Sequence, residues 1–101
     1  MTHTDYTPAQ RKSARQAYRQ LERRGCPVRK TQDAASGYSQ YGGLFAISAE
    51  EANSDLWLNY YPESYTRWDH GTHSDQLQAV LEAKGLYLEW YNPAVAVVYP
   101  V

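Results

Sequence analysis

The sequence predicts a single small domain of the α+β class, and three observations lead to this fold class. The chain has 101 residues, of which 43% are hydrophobic and 21% charged, and these proportions suit one folded unit with one core. Two segments repeat apolar residues with the period of a helix, and the segments around them have the composition of strands. The predicted order is α-β-β-α-β-β over residues 1–101, with 1–6 as a frayed terminus.

The first helix has the clearest start and end. Thr7 can cap it, Pro8 suits its first turn, and Gln10 completes a capping box. Gly25, followed by Pro27, ends it. One face of this helix is apolar and consists of Ala14, Ala17, Tyr18 and Leu21. That face should lie on the core, with the charged opposite face in solvent.

Two strands are expected before a second helix. The segments LFAIS and DLWLNYY have strand composition, and a short extended segment around Val28 precedes them. The intervening residues 31–42 are polar and contain glycine and serine, so we interpret them as a connection.

The last third of the chain predicts a helix and then a hairpin. The segment SDQLQAVLEAKG follows Thr72 and Ser74, either of which can cap a helix, and Gly85 ends it. The segments LYLEWY and AVAVVYPV then flank a turn at Asn92-Pro93. We expect one antiparallel sheet of about four strands, with both helices packed on one face and Val95–Tyr99 at a sheet edge.

Charge is unevenly distributed along the chain, although the net charge is only −1. Eight of the ten basic residues lie within the first 30 positions, where only Asp5 and Glu22 are acidic. The first helix carries an arginine at every fourth position, and such charges repel one another unless something compensates them. These arginines are Arg11, Arg15, Arg19 and Arg23.

Several explanations of this basic helix stay open. An acidic surface on another protein would neutralise it, and so would the phosphates of a nucleic acid. The acidic residues in the rest of the same domain would also neutralise the helix. The acidic residues of a second copy would do so too, which makes self-association a further alternative. The near-neutral total charge argues against a dedicated nucleic-acid-binding protein, so we rank an acidic protein partner above nucleic acid.

An aromatic segment between the second strand and the second helix predicts a protein-binding surface. Its residue types are those that dominate the energetics of protein interfaces. The candidates are Tyr60, Tyr61, Tyr65, Arg67 and Trp68. The alternative is that Trp68 and one or two of the tyrosines pack at the edge of the core beneath the second helix. Ten tyrosines in a chain of this size also require that several lie near the surface.

The sequence offers little that predicts catalysis. His70 and His73 lie near two aspartates and are weak candidates for a metal site, whereas helix capping is the better explanation of the polar residues around them. Cys26 lies among arginines that would lower a thiol pKa, but the chain order predicts no partner base for it. No phosphate-binding loop, dinucleotide motif or nucleophile elbow occurs. We therefore expect neither an enzyme nor a cofactor.

Compartment and membrane association are also constrained. Cys26 is the only cysteine, so no disulfide can form within the chain. The sequence has no apolar run long enough to span a bilayer and no secretory signal pattern, so we expect a cytoplasmic protein without a membrane partner. The resulting hypothesis is a small binding or regulatory domain that contacts another protein through its aromatic loop, its basic helix or both. A nucleic-acid-binding accessory protein and a small metal- or ligand-binding protein are the alternatives.

Overall fold

The computed structural model of the chain describes residues 6–49, 58–59, 72–73 and 75–101. Within these ranges the chain forms two α-helices, six strands and two short 3-10 turns, the turns at Ala34–Ser36 and Ser39–Tyr41. The helices and strands, in chain order, are α1 (Pro8–Arg23), β1 (Val28–Arg29), β2 (Phe45–Ser48), β3 (Leu58–Asn59), β4 (Thr72–His73), α2 (Asp75–Ala83), β5 (Leu86–Asn92) and β6 (Val95–Pro100).

Helix α1 has the termini that its sequence predicts. The Thr7 hydroxyl accepts the Gln10 N–H at 3.1 Å, and the Gln10 side chain accepts the Thr7 N–H at 2.9 Å, which completes the capping box. At the other end, Gly25 has φ +85°, and the Cys26 N–H donates to the Leu21 carbonyl at 3.0 Å. This ending satisfies carbonyls of the last turn and redirects the chain into β1.

Four strands form an antiparallel sheet in the order β1-β2-β6-β5. Phe45 of β2 and Leu88 of β5 both pair with Val98, on opposite sides of β6. The predicted hairpin is present, and the Asn92 side chain stabilises its turn by accepting the Ala94 N–H at 2.8 Å. The predicted fold class, α+β with an antiparallel four-stranded sheet, is confirmed.

The membership of this sheet differs from the expectation. Its fourth strand is Val28–Arg29, whereas the segment 55–61 contributes Leu58–Asn59 to a separate pair with Thr72–His73. Val28 is buried beside Ile47, and β1, the short strand after α1, forms one edge of the sheet. Two residues are too few to produce the alternation by which strands are detected in sequence.

Strand β6 lies inside the sheet, so the expectation that Val95–Tyr99 forms an edge is wrong. It pairs with β2 on one side and with β5 on the other. Its first four residues are all buried, which is typical of a strand covered on both faces. Thr72 lies in β4, so it does not directly precede α2, and Ser74 lies outside the described residues.

Both helices pack on one face of the four-stranded sheet, as predicted. The core on this side joins the helices to alternate residues of the strands, and its fully buried side chains include Ala17, Leu21, Phe45, Ile47, Leu77, Leu81, Leu86 and Val98. The other face has a smaller buried cluster of Ala46, Val95 and Val97, against which Tyr38, Tyr41 and Tyr99 pack. The connection after β1 therefore covers part of the face that the helices leave open.

Candidate binding groove on the first helix

A groove of about 520 Å³ runs between α1 and the segment that follows β1. We call it the α1 groove. One wall belongs to α1, the other to residues 30–33, and the floor to the start of β2. Its lining residues are Arg11, Ala14, Arg15, Tyr18, Arg19, Glu22, Lys30, Thr31, Gln32, Asp33, Leu44 and Phe45. The volume falls within the range of sites that hold small ligands or single side chains of a partner.

Three of the four arginines singled out in the sequence line this groove. Arg11, Arg15 and Arg19 follow one another at four-residue intervals, which places them along one side of the helix. Arg15 and Arg19 are exposed and have no hydrogen-bond or ion-pair partner in the part of the chain that the structure describes. Arg23 is exposed on α1 but does not line the groove. The arginine row is therefore divided between the groove and open solvent.

Arg11 differs from the other two arginines because the protein itself holds it. Its Nη1 donates to Gln32 Oε1 at 3.1 Å, and its Nε donates to the Tyr6 carbonyl at 3.3 Å. The first bond joins the two walls at one end of the groove. Arg11 thus links the two walls of the groove, whereas Arg15 and Arg19 are available to a ligand.

The floor of the groove is aromatic. Phe45 is 2% exposed, and the ring of Tyr18 meets it edge to face, with centroids 5.5 Å apart and planes at 87°. Burial, and then the charge of Glu22, raise the pKa of the Tyr18 hydroxyl. Tyr18 therefore stays neutral at physiological pH and can donate a hydrogen bond to a ligand that lies on this floor.

Hydrogen bonds within residues 30–36, and one bond from Thr31 to Gly43, hold the wall opposite α1 in place. Thr31 is 2% exposed, and its hydroxyl donates to the Gly43 carbonyl at 3.2 Å. The Asp33 carboxylate accepts the Ala35 N–H at 3.0 Å, and the Ser36 hydroxyl contacts the carbonyl oxygens of Lys30 and Asp33. These bonds tie residues 30–36 into a compact turn, so the groove is formed before any ligand binds.

The groove has a positive surplus. Four cationic side chains line it, against the carboxylates of Glu22 and Asp33. Guanidinium groups bind carboxylates and phosphates well, because two N–H donors match two oxygens. An aromatic floor beneath cationic walls thus favours a ligand with an apolar part and an anionic part.

The other residues predicted for function fall mostly outside the described residues. This is so for Tyr60, Tyr61, Tyr65, Arg67 and Trp68, and for His70. The backbone of His73 is in β4. Within the described ranges, His, Cys, Asp and Glu residues form no group of three that could hold a metal ion.

Five tyrosines that the sequence did not single out form a second surface, on the sheet face away from the helices. We call it the tyrosine face. The ring centroid of Tyr41 lies 5.5 Å from that of Tyr38 and 4.3 Å from that of Tyr91. The ring centroids of Tyr87 and Tyr99 lie 5.9 Å apart. A signal was present, because the alternation in LYLEWY separates Tyr87 and Tyr91 from the leucines.

Cys26 is buried and does not have the surroundings of a nucleophile. It is 4% exposed, and burial raises the pKa of its thiol to about 11. The neighbouring arginines in sequence do not offset this effect. A thiol with such a pKa is almost fully protonated near neutral pH.

The reaction of Cys26 with a disulfide reagent such as Ellman's reagent should therefore be slow in the native protein. We expect a rate at pH 8 about a hundredfold below that of the chain in concentrated urea, because two pKa units lower the thiolate fraction about a hundredfold. The native rate should keep rising up to about pH 11, following the raised pKa. The variant Cys26→Ser gives the background rate. A fast native reaction that levels off near pH 8 would contradict the burial of this thiol.

The fold and the groove define a small α+β domain with a cationic, aromatic-floored groove along its first helix. No protein-family model, no curated protein and no solved structure matches this chain. Among the described residues, no helix is both long and apolar enough to cross a membrane. Function must therefore be argued from the groove itself.

Proposed function

We propose that this chain is a non-enzymatic, cytoplasmic binding domain that holds an acidic segment of another protein in the α1 groove. The observation that supports this function best is the placement of Arg15 and Arg19 beside the aromatic pair Tyr18 and Phe45. Carboxylates of the partner would bind the two guanidinium groups, and a neighbouring apolar side chain would pack on the half-buried ring of Tyr18, which Phe45 supports. Aromatic residues and arginine are the side chains that carry most binding energy at protein interfaces.

An acidic peptide fits the groove better than a nucleic acid does. Glu22 and Asp33 lie in the walls, where they would repel a continuous phosphate backbone. A peptide can place its carboxylates at the arginines and other side chains beside the acids. The net charge of the chain is also −1, whereas nucleic-acid-binding domains usually have a basic balance.

The aromatic segment is proposed as a second contact with the same partner. Tyr60, Tyr61, Tyr65, Arg67 and Trp68 have the composition of an interface centre, and they lie outside the described residues. Replacing Tyr65 and Trp68 by alanine would weaken partner capture without changing the affinity for a short peptide that occupies only the α1 groove.

The groove is tested by charge reversal with a matched control. We expect Arg15→Glu/Arg19→Glu to lower the affinity for a labelled Glu/Asp-rich peptide with one leucine or phenylalanine at least tenfold, equivalent to about 1.4 kcal/mol or more. Lys12→Glu/Arg23→Glu makes the same change in net charge at exposed positions of α1 outside the groove. It should change the affinity less than threefold. Fluorescence anisotropy at two salt concentrations measures both variants.

The outcome also separates the two classes of partner. Equal losses in the two variants would show that only the overall charge matters and would contradict a groove site. Tighter binding of single-stranded or duplex nucleic acid than of the peptide, with a steep salt dependence that Arg15→Glu/Arg19→Glu abolishes, would favour the nucleic-acid alternative.

A further inference from the structure

The outer face of the β5–β6 hairpin holds one carboxylate among tyrosines. Leu88 and Trp90 of β5 pack toward the helices, so Tyr87 and Glu89 lie on the other side of the sheet. The strand pairing is irregular at Tyr91, whose ring lies on the same side because it contacts Tyr41. Tyr87 and Tyr91 are 41% and 54% exposed, the largest exposures of any aromatic side chain that the structure describes. This part of the tyrosine face therefore offers aromatic surface to solvent.

Glu89 is the only charged residue of β5 and β6. Its neighbour across the hairpin is Val97, which is buried and apolar. The Tyr87 hydroxyl donates to Glu89 Oε2 at 2.9 Å, and this hydrogen bond raises the pKa of Tyr87. The bond orients the carboxylate, and its second oxygen has no hydrogen-bond donor among the described residues.

Tyr99 lies diagonally across the hairpin from Glu89, beside Tyr87. It pairs with Tyr87 across the hairpin, and the two rings are inclined by 32° with centroids 5.9 Å apart. Burial, and then the charge of Glu89, raise the pKa of Tyr99. The exposed Glu89 carboxylate therefore lies next to the paired rings of Tyr87 and Tyr99.

A cation interacts favourably with both the carboxylate and the aromatic rings of this surface. It pairs with a carboxylate, and it is attracted to the face of an aromatic ring within about 6 Å of the ring centre. Side chains two positions apart on one face of a strand are separated by about 6.8 Å. A planar guanidinium bound to Glu89 can therefore reach the ring of Tyr87 or Tyr91. Anions are disfavoured because β5 and β6 contain no lysine or arginine.

We propose that the tyrosine face is a second binding site, which takes an arginine side chain from a peptide segment of a partner. Glu89 binds the guanidinium group, and the ring of Tyr87 or Tyr91 stacks on one of its faces. Arginine is preferred to lysine because its planar, weakly hydrated group can stack and form two hydrogen bonds at once. The site is independent of the α1 groove, since the helices cover the opposite face of the sheet and the two sites select opposite charges.

The site is tested by NMR titration of the ¹⁵N-labelled chain with a Gly/Ser peptide that contains one arginine. We expect chemical-shift changes at residues 87–91 and at Tyr99, with saturation in the millimolar range that suits one side chain. The same peptide with citrulline, which is neutral but similar in shape, should bind at least tenfold more weakly. A lysine peptide should lie between the two.

Two variants with the same change in charge separate the site from general electrostatics. Glu89→Gln should lower the affinity for the arginine peptide at least tenfold. Glu82→Gln removes an exposed carboxylate on α2, on the helix side of the sheet, and should leave the affinity unchanged. Circular dichroism melts show whether both variants fold. The groove variant Arg15→Glu/Arg19→Glu should bind this peptide as well as the unchanged protein does, so failure of one site leaves the other testable.

Four outcomes would overturn the proposal. The first is equal binding of the citrulline and arginine peptides, and the second is undiminished binding by Glu89→Gln. The third is concentration-dependent self-association that Glu89→Gln abolishes, because a second copy would then be the occupant. The fourth is binding of single-stranded RNA that is tighter for Glu89→Gln than for the unchanged protein, because the tyrosine rings would then stack on bases.

Discussion

Replacing Phe45 by alanine should destabilise the protein by about 3–5 kcal/mol, the usual cost of deleting a buried aromatic side chain. Phe45 is 2% exposed and lies in the core between α1 and the sheet, where the Tyr18 ring packs against it. The truncation leaves a cavity that the paired strands on either side cannot close. Equilibrium urea unfolding followed by circular dichroism measures the loss.

The matched substitution is Phe45→Leu, which keeps most of the apolar volume. It should cost about 1.5 kcal/mol or less if the core can repack around the smaller side chain. Phe45→Leu should therefore remain folded. Because the Phe45 ring forms part of the floor of the α1 groove, this variant should still bind the acidic peptide more weakly than the unchanged protein does. A cost of Phe45→Ala below about 1 kcal/mol would mean that residue 45 does not lie at the centre of the core.

Replacing Gly43 by alanine should have an effect of similar size for a different reason. Gly43 has φ +68°, and a Cβ there would overlap Val97 Cγ1 and lie 2.9 Å from the Val98 carbonyl oxygen. The backbone cannot yield easily, because the Gly43 carbonyl accepts the Thr31 hydroxyl and the Leu44 N–H donates to the Val98 carbonyl at 2.8 Å. We expect a loss of roughly 2–5 kcal/mol, from left-handed strain and from overpacking together.

Gly37 provides a control in which only the strain of the left-handed backbone conformation contributes. It has φ +80°, but a Cβ at this position would meet nothing within 4 Å. Gly37→Ala should therefore cost only about 1–2 kcal/mol. Equal losses in the two alanine variants, measured by urea unfolding, would contradict the close approach of residue 43 to β6.

The elements that the sequence predicted well are those with local signals. Thr7 and Gln10 at the start of α1, and Gly25 at its end, determine the helix through contacts within a few residues. The hairpin turn at Asn92 is local in the same way. Strand β1 has no such signal, because Val28 and Arg29 become a strand only through their pairing with β2.

The candidate site was predictable only in part for the same reason. The row of Arg11, Arg15 and Arg19 is visible from its spacing in the sequence. The opposite wall at residues 30–33 and the floor at Phe45 are distant in sequence, and only the packing of α1 on the sheet brings them to the arginines. The tyrosine face depends likewise on which side of the sheet the helices cover, and alternation in a strand does not determine that side.

An NMR titration of the labelled chain with the Glu/Asp-rich peptide distinguishes a defined site in the α1 groove from general attraction of anions by the helix. The binding account predicts that the largest shift changes fall on Arg15, Arg19, Thr31 and Phe45, which line the α1 groove from both walls and the floor. It also predicts that the amides of β5 do not change. Shifts spread along the exposed face of α1, at Lys12 and Arg23 as strongly as at Arg15, would mean that the helix attracts anions without a defined site, and the proposed function would be wrong.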